Sequence, residues 1–552
     1  MRYYSKITRP FSILSLVLIL VIANNNISTP MDTIAKQASA TTTFPSYFRT
    51  FSNIATITNV QLPGIIADNN NTSPPSSSFG TGTGSVTNTN PTNNSPQVTG
   101  TITIPPIVHR NTRARAAIGG PTLNDPDLKV EQIINTGLKR TTSMAFTGPN
   151  DILVLEKDTG KIHRIVNGKM LPQPLLDVSV ANEAERGLLG IAVSNNNDNS
   201  NTRHVFLYYT ESGGGRDGDD ESTKTSDNAT GNRGSDTVAP AGNRLYRYDL
   251  DLNNNNNNNN NKLTNPLLLL NLPASPPPAR EGTEKNHNGG KVLIGPDNNV
   301  YVGIGDVAGH RGQSENNPNG TAPDGTGGIL RVTQDGQIVD NPPLGSDTIS
   351  SSLYYAYGMR NTFGMDFDPS TGDLWDTENG NTFGDEINLV KPGFNSGWSQ
   401  VAGIWEAGSK PGPAIGADSN IPPKDLVTFD GKGVYRAPEL ATLLTIAPTA
   451  LKFLNSDKLG RQYENTIFMG DVDFGNLYNF KLNEDRTGLV LDGSLSDKIA
   501  NNIQDLKEGG AVLGQGFGVI TDMQIGPEDG YLYILTLNGS VYRIVPSSSS
   551  SS

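Results

Sequence analysis

The strongest constraint on the fold is a hairpin unit that recurs through a region with almost no helical periodicity. The unit is a turn rich in Gly, Pro, Asn and Asp, a short apolar or alternating run, a polar turn and a second run. It occurs at residues 151–165, at 204–209 with 244–250, at 295–306, at 366–378 continuing into 386–390, at 465–482 and at 526–545. Alternation with a period of two builds half-buried strands, whereas a helix needs a period near 3.6. Six such units within a chain of 552 residues predict an all-β, six-bladed β-propeller with long loops. The irregular spacing excludes a regular WD40 array. A β-sandwich is the alternative, and this length would be unusual for one. A lone strand at residues 128–134 is expected to complete the last blade and close the ring. Loops at one end of a propeller channel converge, so residues far apart in sequence can share a site there.

The flanks read differently. Arg2, Lys6 and Arg9 precede an apolar run at residues 11–23, shorter than the roughly 20 residues a bilayer span needs. With Ala38-Ser39-Ala40 as a cleavage candidate, this is an export signal, and an uncleaved tether is the alternative. The expected location is extracellular or at the cell surface, with no membrane span in the mature protein. Residues 41–120 are rich in Ser, Thr, Asn, Pro and Gly and bury too little apolar surface to offset ordering entropy. They predict a disordered low-complexity stalk, with Asn71-Thr72-Ser73 as a glycosylation pattern. The expected organisation is 1–40 signal peptide or tether, 41–120 stalk, 121–546 propeller and 547–552 Ser tail, with further flexible pieces at 213–241 and in the Asn tract 253–261.

Lys+Arg total 42 against Asp+Glu 55, a net charge of -13, which argues against a nucleic-acid partner because phosphate binding needs clustered cations. Cysteine is absent, so disulfides, c-type haem attachment, Cys-ligated iron–sulfur clusters and Cys-based zinc sites are excluded. Among five histidines, His287 in Glu284-Lys-Asn-His-Asn-Gly-Gly290 stands at the mouth of a hairpin and is the candidate general base, against the alternative of a surface-loop His. His109 lies beside the stalk, His163 and His204 lie in strand patterns, and His310 on a Gly-rich loop is a weaker candidate. Tyr357-Gly-Met-Arg-Asn361 supplies Arg360 for an anion or sugar hydroxyl and Asn361 as donor and acceptor. Thr377-Glu-Asn-Gly-Asn-Thr-Phe-Gly-Asp-Glu386 is a polar turn whose glycines let carbonyls face a ligand or a hard cation, or else a solvated acidic turn. Asp217, Asp219, Asp220 and Glu221 form an oxygen-donor pattern in a flexible context.

At these residues the chain resembles the soluble quinoprotein glucose dehydrogenase and aldose sugar dehydrogenase family, also called the glucose/sorbosone dehydrogenase family. The likeness rests on Glu185-Arg-Gly-Leu-Leu-Gly-Ile-Ala192, His287-Asn-Gly-Gly290 with Gly295-Pro-Asp297, and Tyr357-Gly-Met-Arg-Asn361. It continues through Glu378-Asn-Gly380 with Asp385-Glu-Ile-Asn388, Asn395-Ser-Gly-Trp398 and Ile446-Ala-Pro448, so that it covers residues 128–545. The resemblance implies a six-bladed propeller and a sugar oxidation that uses pyrroloquinoline quinone and calcium. It implies that His287 takes the proton of the anomeric hydroxyl, with Glu185 near the sugar and Arg360 near the reacting centre. Asn361 and Thr445 match cofactor contacts, and Gly380 and Asn381 match the carbonyls that bind Ca2+. A small sugar substrate and an external electron acceptor follow.

The chain departs from the family pattern in its cationic clamps. Active relatives hold the cofactor carboxylates with a Lys and two Arg; aligned on Gly475 and Leu532-Tyr533, those positions are Asp473, Val519 and Thr521. The acid that precedes the catalytic His in relatives is Asn286 here. Two readings therefore stand beside the dehydrogenase. One is a non-catalytic or degenerate propeller that binds a glycan or protein at the same channel mouth; the other is an enzyme with another acceptor or cofactor.

Overall fold

A computed structural model describes residues 114–194, 201–214, 239–252, 262–275, 285–346, 348–404 and 425–547. The signal segment, most of the stalk, the Asn tract and the acids at 217–221 lie outside these residues.

Among the described residues strands dominate, and helices are as short as Ile349–Ser352 and Ile503–Glu508. The strands form six sheets in a propeller-like arrangement. In chain order, the sheets start with Thr141–Gly148, Leu188–Val193, Val292–Ile294, Thr362–Phe367, Pro448–Phe453 and Ile520–Ile525. Each starting strand is followed by antiparallel neighbours that step outward. The starting strand of each sheet packs on the next sheet, and Ile520–Ile525 packs back on Thr141–Gly148. Leu128–Asn135 joins the sixth sheet antiparallel to Ser540–Pro546, with Leu128 opposite Pro546. The two strands on either side of the Asn tract, Pro240–Asp251 and Thr264–Leu272, pair antiparallel.

The core sits between sheets. Leu153 and Leu155 of the first sheet pack with Ile191 and Leu207 of the second, and Trp375 and Leu389 of the fourth pack with Leu451 and Ile467 of the fifth. Met144 and Val154 of the first sheet share a cluster with Tyr533 and Leu535 of the sixth. Strands buried on both faces lose their alternation: every residue of Val300–Ile304 is buried, and the strand reads as a plain apolar run. Each such Leu, Ile or Val contributes roughly 1.5–3 kcal/mol of burial.

The starting strands line a channel with a cavity at each end. At one end Ser143, Leu189, Lys291, Phe363, Thr449 and Asp522, one from each sheet or the residue before it, border about 250 Å³. At the other end Phe146, Val193, Ile294, Phe367, Phe453 and Ile525 border about 1540 Å³.

Candidate active site

The smaller cavity is bordered by the loops that the sequence singles out. His287 lies on the loop entering the third sheet, with its backbone in the left-handed region at φ 59. Close approach fixes this loop: a Cβ on Gly305 would stand 2.7 Å from the His287 carbonyl oxygen and 2.4 Å from that of Arg360. Only glycine lets the two loops meet there. The His287 amide N–H donates to Glu185 Oε2 at 2.6 Å, and Nδ1 lies 2.5 Å from Asp306 Oδ1. An ionised carboxylate only accepts, so the Nδ1 of a neutral ring carries the proton and Nε2 presents a lone pair. Asp306 is itself held: Ala308 N–H donates to Oδ1 at 3.0 Å, and the Trp398 indole donates to Oδ2 at 3.0 Å.

Arg360 and Asn361 come from the loop entering the fourth sheet. The Asp306 amide donates to the Arg360 carbonyl at 2.9 Å, which joins this loop to the His287 pair. The Arg360 amide donates to Glu378 Oε1 at 2.6 Å, and its Nη1 donates to the carbonyls of Asn379 at 2.8 Å and Gly380 at 2.7 Å. Its guanidinium stands over the Trp398 ring at 5.6 Å. Burial depresses the Arg360 pKa, while the charges of Asp306, Glu378, Glu185 and Asp385 oppose that shift. Asn361 donates to Glu185 Oε2 at 3.3 Å, so Glu185 ties the His287 loop to the fourth sheet. The Asn361 Oδ1 is buried with no hydrogen-bond partner among the described residues, an acceptor in need of a donor or cation.

The Gly380 turn is tied down by Asp385, which accepts from Gly380 N at 2.8 Å, Ile446 N at 2.6 Å and Ala447 N at 2.8 Å. The half-buried Thr445 is thereby held beside the turn, and Asn381 stands exposed on it. Burial raises the Asp385 pKa to about 6, and the charge of Asp473 adds to the rise. Asp473 therefore lies next to the turn, and Val519 and Thr521 line the cavity itself.

The structure thus links His287, Glu185, Arg360, Asn361 and Gly380 through one hydrogen-bond network, with Thr445 joined through Asp385. The side chains of the other described histidines pair elsewhere. His163 faces Glu156 at 3.6 Å, His204 faces Asp249 at 3.6 Å, and His310, whose amide donates to the Asp306 carbonyl, has its ring buried between Glu315 at 2.9 Å and Asp324 at 3.2 Å. Asn286 is exposed, and the carboxylate on His287 comes from Asp306 instead. Sequence reasoning missed Asp306, Trp398 and Lys291 as site residues. The available signal for Asp306 was an acid directly after a Gly-ended apolar strand that returns towards the His loop.

The chain matches the Glucose / Sorbosone dehydrogenase family over residues 138–543. It belongs to that family. An uncharacterised protein of Synechocystis is 25% identical over 443 residues, 76% of this chain and 87% of that protein. The aldose sugar dehydrogenase of Escherichia coli is 28% identical over 267 residues, 47% of this chain and 60% of that protein. Quinoprotein glucose dehydrogenase B of Acinetobacter calcoaceticus is 28% identical over 350 residues, 58% of this chain and 65% of that protein. The matches thus span less than two thirds of either named dehydrogenase. Among solved structures, the apo form of the soluble Escherichia coli aldose sugar dehydrogenase aligns with a TM-score of 0.53 and 21% identity, over 76% of this chain and 100% of that one. The PQQ-bound aldose sugar dehydrogenase of Streptomyces coelicolor gives 0.50 and 20%, over 78% and 100%. These two likenesses carry the fold alone.

In this glucose/sorbosone dehydrogenase family member, no group of three or more acidic or histidine side chains among the described residues is suited to a metal ion. A calcium ion would depend on backbone oxygens, and the Gly380 carbonyl already faces a cation, the Arg360 guanidinium. The orphaned Asn361 Oδ1 suits a bound group on the same side.

Proposed function

We propose that the six sheets are the blades of a six-bladed propeller, and that the smaller cavity is the active site of a pyrroloquinoline quinone- and calcium-dependent aldose dehydrogenase. The observation that carries this reading is the His287–Asp306 pair, oriented by Glu185 and facing the Arg360–Asn361 loop. Bound there, the quinone supplies a two-electron acceptor for the hydride from the anomeric carbon. His287 Nε2 takes the proton of the anomeric hydroxyl, and Asp306 stabilises the imidazolium that results. Glu185 holds the His287 loop in register and presents a carboxylate to the sugar. Asn361 contacts the cofactor, with Thr445 beside it, and Arg360 places positive charge at the reacting centre. Gly380 and Asn381 are the carbonyls that would hold calcium, which would supply a Lewis acid, once the Arg360 guanidinium releases the Gly380 oxygen. Turnover would need an external electron acceptor, and the N-terminal segment supports export to the cell surface.

The neutral and acidic residues at 473, 519 and 521 favour a second reading, a degenerate propeller that binds a glycan or protein at the same mouth. One experiment separates the two. Purified full-length protein is loaded with pyrroloquinoline quinone and calcium and assayed for aldose oxidation with an artificial electron acceptor. The dehydrogenase reading expects turnover that His287→Ala abolishes; loaded protein without turnover on a broad aldose panel refutes it.

A further inference from the structure

The smaller cavity that Val519 and Thr521 line is also lined by cations. Lys291, the residue before the first strand of the third sheet, is 9% exposed and lines the cavity with Arg140 and Lys157. Arg140 and Lys157 both pair with Asp158 at 2.7 Å, and Lys157 also donates to the Asn182 carbonyl at 2.8 Å. Lys291 is differently placed. Its Nζ donates to Asp522 Oδ1 at 2.6 Å, and no second acceptor among the described residues lies within hydrogen-bond distance. An ammonium has three N–H donors, so two of them lack protein acceptors in a buried position. Asp522 does not depend on Lys291 alone. Its Oδ2 also accepts from Ser143 Oγ at 2.7 Å and Met144 N at 2.9 Å, and its Oδ1 from Met523 N at 2.9 Å.

A buried ammonium with spare donors on a cavity wall calls for a further oxygen acceptor. We infer that Lys291 is a carboxylate anchor of this cavity, binding an acid group of the quinone cofactor. This inference rests on the dehydrogenase reading for the identity of the ligand. It relocates the clamp: the positions where relatives carry cations are neutral or acidic here, and the charge comes from the residue that leads into the third sheet.

The test is a binding titration of full-length protein in calcium, followed by the quinone absorbance rather than by activity. The probes are pyrroloquinoline quinone and its trimethyl ester, which keeps the ring and removes the carboxylates. Wild type should prefer the acid, and Lys291→Gln should weaken the acid about tenfold, the size of one charge-assisted contact, while leaving the ester unchanged. Lys291→Arg, which restores a cation, should recover most of the acid binding. If Lys291→Gln does not fold, the acid-against-ester preference of wild type and Lys291→Arg carries the test. Equal binding of acid and ester by wild type, or equal acid binding by wild type and Lys291→Gln, overturns the anchor while leaving the dehydrogenase reading intact. Absence of quinone binding in every folded form overturns both.

Discussion

Asp306→Asn isolates the step on which catalysis here would depend. In wild type, Oδ1 accepts from His287 Nδ1 and the Ala308 amide, and Oδ2 accepts from the Trp398 indole. An asparagine presents one oxygen and one NH2 to these three donors. If the NH2 faces His287, Nδ1 becomes an acceptor, the ring proton moves to Nε2, and the base is lost. If it faces Trp398, the tautomer survives, but a half-buried indole N–H loses its acceptor and the imidazolium loses its counter-charge. Either orientation leaves one half-buried donor unpaired, at about 1 kcal/mol of stability. Loss of general-base action or of its charge partner lowers kcat by roughly 10²–10⁴-fold, with KM for the sugar little changed. Turnover of the loaded enzyme measures the kinetic effect. Long-range ¹H–¹⁵N spectra measure the tautomer without cofactor, and five histidines keep them assignable. Neutral His287 protonated at Nε2 in wild type, or a kcat within about threefold of wild type in folded Asp306→Asn, refutes the argument.

Stability should be higher in mild acid than in base. Burial pushes Asp471 up to about 7, and its neighbours push His310 up to about 10, because the hydrogen bonds and charges of Asp324 and Glu315 outweigh burial. Both folded groups hold protons that the unfolded chain has released, so stability falls as pH rises from about 4 through 10, and urea midpoints should drop between pH 5 and pH 9; a higher midpoint at pH 9 contradicts this. Leu451→Ala, in the cluster between the fourth and fifth sheets, should cost about 2–5 kcal/mol in urea unfolding, and a cost below about 1 kcal/mol would mean that the cluster does not hold the sheets. A chain beginning at residue 114 should unfold cooperatively, whereas one beginning at residue 136 leaves Ser540–Pro546 paired only with Leu532–Thr536, without its outer partner, and should lose cooperativity; equal calorimetric transitions would refute closure by that strand.

The middle and outer strands were legible because they alternate and their turns are marked. Lys161–Val166 buries Ile162 and Ile165 fully, and Gly295-Pro-Asp297 announces the hairpin around Val300–Ile304. The starting strands were harder. Val292–Ile294 has only three residues, and Thr362–Phe367 buries Thr362 and Asp366 because a channel wall hydrogen-bonds its polar groups. The two-residue strands Phe394–Asn395 and Val434–Tyr435, which add to the third sheet in parallel, carry no period at all. Motifs single out Glu185, His287 and Arg360, which the structure joins in one network, but Asp306 meets His287 only because a strand carries the chain back. Lys291 carries no motif of its own, and only the ring brings it to Asp522.

The fourth sheet shows why the Arg360 guanidinium meets backbone carbonyls rather than a carboxylate. Glu378 stands directly opposite Glu386 in the register, both are buried, and Ser396 Oγ lies 2.8 Å from Glu378 Oε2 and 3.1 Å from Glu386 Oε2. One hydroxyl has one hydrogen and cannot donate to two carboxylates, so one of the two acids must donate to it and is protonated. Burial, reinforced by the charge of Glu378, drives Glu386 well above the ordinary carboxylate range, which names it as the protonated partner. Asp376 behind them is pushed up as well, by burial first and then by the charge of Glu378. Burial raises Glu378 as well, to about 7, and Glu378 gives its Oε1 to the Arg360 backbone amide rather than to the guanidinium. The guanidinium is left to the Asn379 and Gly380 carbonyls, which carry no formal charge and do not neutralise it. A fully ionised Glu378–Glu386 pair would draw that charge inward and compete with any anion in the cavity. Protonation within the pair lowers that competition and leaves the guanidinium on the two carbonyls beside the Gly380 turn.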